Sequence, residues 1–164
     1  MNERRKIVGV LGGMGPDATV DFMARVIAAT PAEKDQDHVH MIVDQNPGIP
    51  PRQTAILGGG EDPGPAMAEM AVRLEEAGAD FLVIPCNTAH VFEDAVTRAT
   101  RIPLLSIIDV TVAACRSFST VGLLAAEGCI SGKQYQQAFA AAGIDVALQT
   151  EDELAGLMRL ALSE

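Results

Sequence analysis

With 164 residues, the chain has room for one compact domain or for two small lobes sharing a cleft. A composition that is 48% hydrophobic and 21% charged supplies a core and excludes a disordered chain, and a net charge of −10 repels phosphate backbones, which excludes nucleic acid as a partner. Apolar runs such as Phe81 to Pro85 and Val121 to Ala126 fall far short of the ~20 residues of a membrane helix. Met1-Asn-Glu-Arg-Arg-Lys6 leads into a strand pattern with no secretory h-region, so a cytoplasmic protein that makes no membrane contact is expected.

The run Lys6 to Leu11 is apolar without alternation, the pattern of a strand buried on both faces. Gly12-Gly-Met-Gly-Pro16 breaks it, and Pro16 with Asp17 opens a helix carrying Val20, Met23, Ala24 and Ile27 at helical spacing. Val39 to Val43 reads as a second strand ending at Asp44. The proline-rich stretch Asn46 to Thr54 reads as loop. A helix follows over Pro63 to Ala77, with Met67, Met70, Ala71 and Leu74 on one face and Gly78 as its C-cap. Further along, Phe81 to Pro85 reads as a strand, Ala89 to Thr100 as a helix, Pro103 to Ile108 as a strand and Val110 to Arg116 as a short helix. Beyond these, Ser119 to Ala126 reads as a strand, Ile130 to Ala142 as a helix capped by Gly143, Asp145 to Leu148 as a strand and Glu151 to Leu162 as a last helix. Strands alternating with helices specify an α/β fold, a parallel sheet with helices on both faces. Arg116-Ser-Phe-Ser-Thr120 is a plausible joint, which divides the chain into a first lobe, 1–116, and a smaller second one, 117–164.

Ligands of open parallel sheets bind beyond the carboxyl ends of the strands. After the third strand stands Pro85-Cys86-Asn87-Thr88-Ala89-His90, where a thiol just before a helix N-terminus sits in the positive end of the helix dipole, which favours thiolate. Cys86 therefore reads as a nucleophile or base, the alternative being a small buried hydrophobe. His90 is open to two readings, a site residue or a surface residue at a helix start. The first loop, Gly13-Met-Gly-Pro-Asp-Ala18, matches the dinucleotide fingerprint only formally. Pro16 removes an N–H from the phosphate cradle, and Asp44, the nearest acidic strand end for a ribose, lies beyond the usual ~20 residues. A glycine turn for a small anionic ligand and a purely structural tight turn fit equally. In the second loop Arg52 either clamps a carboxylate or is a solvated loop residue. The fifth strand leads to Cys129, a second thiol. Cys115 falls in an apolar helix and reads as core. The three cysteines are widely spaced, and reduced thiols with no metal site are expected.

Five blocks in this order, Gly12-Gly-Met-Gly-Pro-Asp-Ala-Thr19, Asn46-Pro-x-Ile-Pro-x-Arg52 with Thr54, Ile56-Leu-Gly-Gly-Gly60, Pro85-Cys-Asn-Thr-Ala-His90, and Gly122-Leu-Leu-Ala125 with Gly128 and Tyr135, resemble the aspartate/glutamate racemase family, closest to its aspartate racemase branch. The resemblance implies a cofactor-independent amino-acid racemase with two pseudo-symmetric α/β lobes and one catalytic cysteine from each. It makes Cys86 the first-lobe thiol that removes or returns the α-proton. Asn87 and Thr88 would hold the ammonium and carboxylate of an amino-acid or dicarboxylate substrate, Arg52 would bind a carboxylate, and Met14, Gly15 and Thr54 would line the pocket. No pyridoxal is implied, and Lys6, Lys34 and Lys133 offer no Schiff-base site.

The family's second cysteine lies in a Gly-Cys-Thr motif well downstream of the segment matched by Gly122 to Tyr135, no such motif occurs up to Glu164, and near Cys129 the family usually carries a threonine. The second lobe is therefore expected to be incomplete, with Cys129 as a possible second acid/base. Two further functions stay open: a one-thiol isomerase or lyase on a small dicarboxylate, and a non-catalytic remnant that binds a small anion or self-associates. Apolar faces left open by a partial lobe make a homodimer the expected state.

Overall fold

Strand β1, Val8–Gly12, is buried along its whole length, as its unbroken apolar pattern predicts. Val8 and Val10 face one side, where they pack with Val83 and with the half-buried Phe22, Met41 and Val43. Leu11 belongs to the opposite side and joins Met67, Met70 and Leu74. The computed structural model in which these contacts are seen describes residues 5–150, 152–153 and 155–156.

β1 is the centre of a three-stranded parallel sheet ordered β2-β1-β3, where β2 is Met41–Gln45 and β3 is Phe81–Val83. Val10 pairs with Val43 on one side and Val83 on the other, so the three carboxyl ends lie at one edge. Helix α1, Pro16–Ala29, covers one face through Phe22, and α3, Gly64–Glu76, covers the other with its methionine and leucine stripe. A second parallel pair joins β4, Thr120–Leu123, to β5, Asp145–Leu148. Its core draws Ile108 and Val112 from α5, Ile107–Ala114, together with Cys129, Tyr135, Phe139 and Ile144. The α/β class with parallel strands and helices on both faces of the first sheet is thus the observed one.

Four local expectations change. Pro103 to Ile108 was expected as a strand, but only Leu104 bridges to Leu82. Pro103 has no N–H to extend the ladder, Ser106 turns its hydroxyl to Glu93 at 3.3 Å, and Ile107 already opens α5. The stretch read wholly as loop contains a short helix, α2, Arg52–Ile56, which Pro51 introduces with its fixed φ of −61°. Helix Ala89 to Thr100 begins instead as a 3-10 turn, Thr88–Phe92, before α4, Glu93–Ala99. Ile130 to Ala142 is two helices, α6, Glu127–Gly132, and α7, Gln134–Ala141, broken at Lys133 with φ 62°. The last expected helix, Glu151 to Leu162, lies largely outside the described residues. No helix among the described residues is long and apolar enough to cross a membrane.

Gly12 and Gly13 of the first loop serve close packing. Gly13 has φ 91°, and a Cβ there would stand 2.4 Å from the carbonyl carbon of Asn46. Its N–H donates to the buried Thr19 hydroxyl at 2.9 Å, and that hydroxyl donates in turn to the Gly15 carbonyl at 3.2 Å. Thr19→Val keeps the volume but orphans the Gly13 N–H, and is expected to lower stability by about 1–3 kcal/mol, read as a shift in the urea midpoint with an unchanged slope.

Candidate active site

The chain leaves β3 through Ile84 and Pro85 and turns at once. The Cys86 N–H donates to the Ile84 carbonyl at 2.8 Å, which closes a tight bend and leaves the Cys86 thiol half-buried at the strand end. Asn87 and Thr88 follow as the start of the 3-10 turn. From the second sheet, α6 begins right after β4 and carries Cys129 in its first turns. Gly128 is what lets it approach: a Cβ there would meet Thr88 Cγ2 at 3.2 Å and Gln53 Cα at 3.3 Å.

These segments enclose a cavity of about 500 Å³. Met14, Cys86, Asn87 and Thr88 line it from the first sheet, and Thr111, Cys129 and Tyr135 from the second. Its walls carry thiols, hydroxyls, one amide and apolar groups. An adjoining cavity of about 230 Å³ shares Met14, Cys86 and Thr88 and adds Arg52. Cys86 therefore stands where the two spaces meet. Arg52 is half-buried, and its guanidinium donates to the carbonyls of Ile49 at 3.2 Å and Pro50 at 3.1 Å, which fixes it at the rim.

Two groups on the second-sheet side are held protonated. Cys129 is 5% exposed, and burial pushes its thiol up, with Cys86 adding to the rise. Tyr135 is 6% exposed; burial pushes its phenol up, a hydrogen bond with Thr111 opposes this, and the nearby Cys129 adds to the rise. The Tyr135 hydroxyl donates to Asn87 Oδ1 at 2.5 Å. With that oxygen occupied, the Asn87 amide nitrogen remains as the donor end of the side chain.

A model of the Asp/Glu/Hydantoin racemase family matches residues 11–164. The chain belongs to that family. It is 34% identical over 110 residues to the broad specificity amino-acid racemase RacX of Bacillus subtilis, a match covering 65% of this chain and 48% of that protein. The chain thus spans about half the length of this curated relative. The solved Picrophilus torridus aspartate racemase is 31% identical, with a TM-score of 0.82 over 92% of this chain and 65% of that one. A putative Asp/Glu racemase from Yersinia pestis shares the fold, with a TM-score of 0.80 at 23% identity over 97% of this chain and 71% of that one.

Of the racemase-family residues expected from the sequence, Met14, Cys86, Asn87 and Thr88 meet at the larger cavity, and Arg52 faces the smaller. Thr54 is exposed and packs against Gly59 and Gly60 at the end of its own helix; it lines neither space. Cys115, read as core, packs partly against the second cluster and also lines the larger cavity, so all three cysteines reach it. Asp44, weighed as a ribose ligand, is engaged by Arg73 at 2.8 Å. His90 is 1% exposed, which removes the surface reading. The contribution of Tyr135 was not read from the sequence, although a lone tyrosine four residues before Phe139, with which it stacks at 6.2 Å, was a signal for a polar tip on a buried helix face.

Exposure orders the thiols. With iodoacetamide at about pH 8, Cys129 is expected to be the last of the three cysteines alkylated, its site occupancy followed by peptide mass spectrometry; labelling of Cys129 ahead of Cys86 would contradict its burial.

Proposed function

We propose that the chain carries the proton-transfer centre of an amino-acid racemase in which Cys86 and Cys129 act as the paired base and acid. The observation that supports it is the convergence of these thiols, one from each sheet, on one cavity of about 500 Å³. An amino acid's α-proton is a very weak acid, so its removal needs a base in contact, an acid ready opposite and little water between them. Cys86 as thiolate takes the proton from the α-carbon, and the electron pair delocalises into the substrate carboxylate. The Cys129 thiol gives its proton to the other face, which leaves the inverted amino acid, a Cys86 thiol and a Cys129 thiolate. The reverse reaction restores both.

The remaining side chains have positions that suit this chemistry. Arg52 meets a substrate carboxylate at the rim, and the Asn87 amide nitrogen offers a further donor next to the base. Thr88 adds a hydroxyl. The reaction as written draws on no group beyond these side chains and the substrate. The activity belongs to the whole protein, and support for it comes from the family and from relatives that are named racemases. The family resemblance leads one to expect a threonine near Cys129, where this chain carries a thiol.

Racemisation of a panel of amino acids in D2O tests the reading. Cys86→Ser and Cys129→Ser are each expected to reduce racemisation by about 10²- to 10⁴-fold. Cys129→Ser is further expected to exchange the α-proton of one enantiomer without inverting it. Undiminished racemisation by Cys129→Ser would reject the pair, and a wild-type chain that exchanges no amino-acid α-proton would reject the racemase reading for these 164 residues.

The pH dependence is a consequence of burial. Because the Cys129 value is raised, its thiol stays protonated as pH climbs through the ordinary thiol value of about 8.5, and its acid role is lost only above that. In the direction in which Cys129 donates, the alkaline limb of kcat should lie above that value, and it should be missing from whatever activity Cys129→Ser retains.

A further inference from the structure

His90 does not line the cavity, yet both of its ring nitrogens are committed. Nδ1 lies 2.8 Å from the Cys86 carbonyl oxygen and Nε2 lies 3.3 Å from the backbone nitrogen of Ile107. The Ile107 N–H can only donate, so Nε2 is the acceptor. The proton of the neutral ring is then on Nδ1, where it donates to the Cys86 carbonyl. Each partner selects the same tautomer, and the ring is buried, 1% exposed.

Consider what these two bonds join. The Cys86 N–H is already tied to the Ile84 carbonyl at 2.8 Å, so His90 completes the constraint by holding the carbonyl of the same residue. The backbone that carries the thiol is thereby fixed on both sides. Ile107 is the first residue of α5, and its neighbours Ile108 and Val112 pack in the same apolar cluster as Cys129. One imidazole thus spans from the peptide of the first thiol to the helix packed with the second.

We infer that His90 is a positioning residue, which holds the Cys86 peptide in register with the α5 and Cys129 side of the cavity without touching the substrate. The inference rests on the reading of Cys86 as the base. Protonation would undo the device: a second proton on Nε2 would point at the Ile107 N–H, donor against donor. Burial opposes that protonation and outweighs the hydrogen bonds to the Cys86 and Asn87 backbone and the carboxylates of Glu93 and Asp109, all of which favour the charged ring.

The test compares wild type with His90→Gln, which retains one amide donor and one acceptor, and with His90→Leu, which has neither. Each protein is first checked for folding by circular dichroism. His90→Leu is expected to lower kcat for racemisation about tenfold or more while KM stays within about twofold, because the base is displaced and the substrate contacts are not. His90→Gln is expected to recover most of the loss. The Ile107 amide should be protected from hydrogen exchange in wild type and in His90→Gln but not in His90→Leu, and the imidazole 15N shifts of wild type should report the Nδ1–H form. A folded His90→Leu with the wild-type kcat overturns the inference, as does an Nε2–H tautomer. Should the leucine variant fail to fold, the tautomer and a His90→Gln with wild-type protection but a kcat unlike wild type decide against it. If wild type racemises nothing, the loss falls on the racemase reading alone, and the Cys86 alkylation rate takes over: equal rates in wild type and His90→Leu overturn the positioning role, and a rate changed by leucine and restored by glutamine supports it.

Discussion

The hydroxyl of Tyr135 reaches from a helix of the second sheet to Asn87, the residue next to Cys86, and that one hydrogen bond of 2.5 Å crosses the junction on which the cavity depends. Such a bond adds about 1 kcal/mol, with the Tyr135 end buried and the Asn87 end exposed. It does not act alone. Gly128 presents no side chain, so α6 comes into contact with Thr88 and with the backbone of Gln53. The His90 ring adds a third tie, to Ile107. Three short contacts therefore register two otherwise separate parallel sheets against each other, and the thiols inherit their relative placement from them.

The electrostatics of the junction divide along the same line. The larger cavity is walled by neutral groups, which leaves a charge developing there poorly screened and makes each well-aimed donor count for more than it would in water. The fixed positive charge of Arg52 stands at the rim, held by the Ile49 and Pro50 carbonyls. The guanidinium at the edge and the two thiols of the larger cavity are thus separated in space. Under the racemase reading, a carboxylate held by Arg52 gains negative charge as the α-proton leaves, so the fixed cation favours the intermediate over the substrate.

Much of this was legible because parallel strands buried on both faces write themselves as continuous apolar runs, and because the residues just after each such run must converge at one sheet edge. Cys86, Asn87 and Thr88 could be placed on that reasoning before any contact was known. Two of the misreadings share a cause: a tertiary contact decided between conformations that local sequence left close in energy. Pro103 to Ile108 has the apolar content of a strand, but Ser106 and Ile107 are drawn off to Glu93 and His90. The helix expected over Ile130 to Ala142 is interrupted where Gly132 lies against Val91, a contact no local rule foresees. His90 looked ambivalent because spacing says nothing about which backbone groups a ring will find on a neighbouring element. Tyr135 was visible as a residue and invisible as a partner of Asn87, 48 positions away.

The break at Lys133 decides how two side chains of the cavity are carried. A lysine held in the left-handed region gives up some local stability, and in return α6 and α7 reach the cavity as two helices rather than one. Cys129 rides on the first and Tyr135 on the second. A continuous helix would have linked the two side chains through a fixed rotation of about 100° per residue, so that exchanging the group at 129 for one of different size would have dragged the Asn87 anchor with it. With the break, the two side chains sit on separate helices that stay tied where the Gln136 amide donates to the Ile130 carbonyl at 2.8 Å, so the angle between them is set by packing rather than by helical rotation.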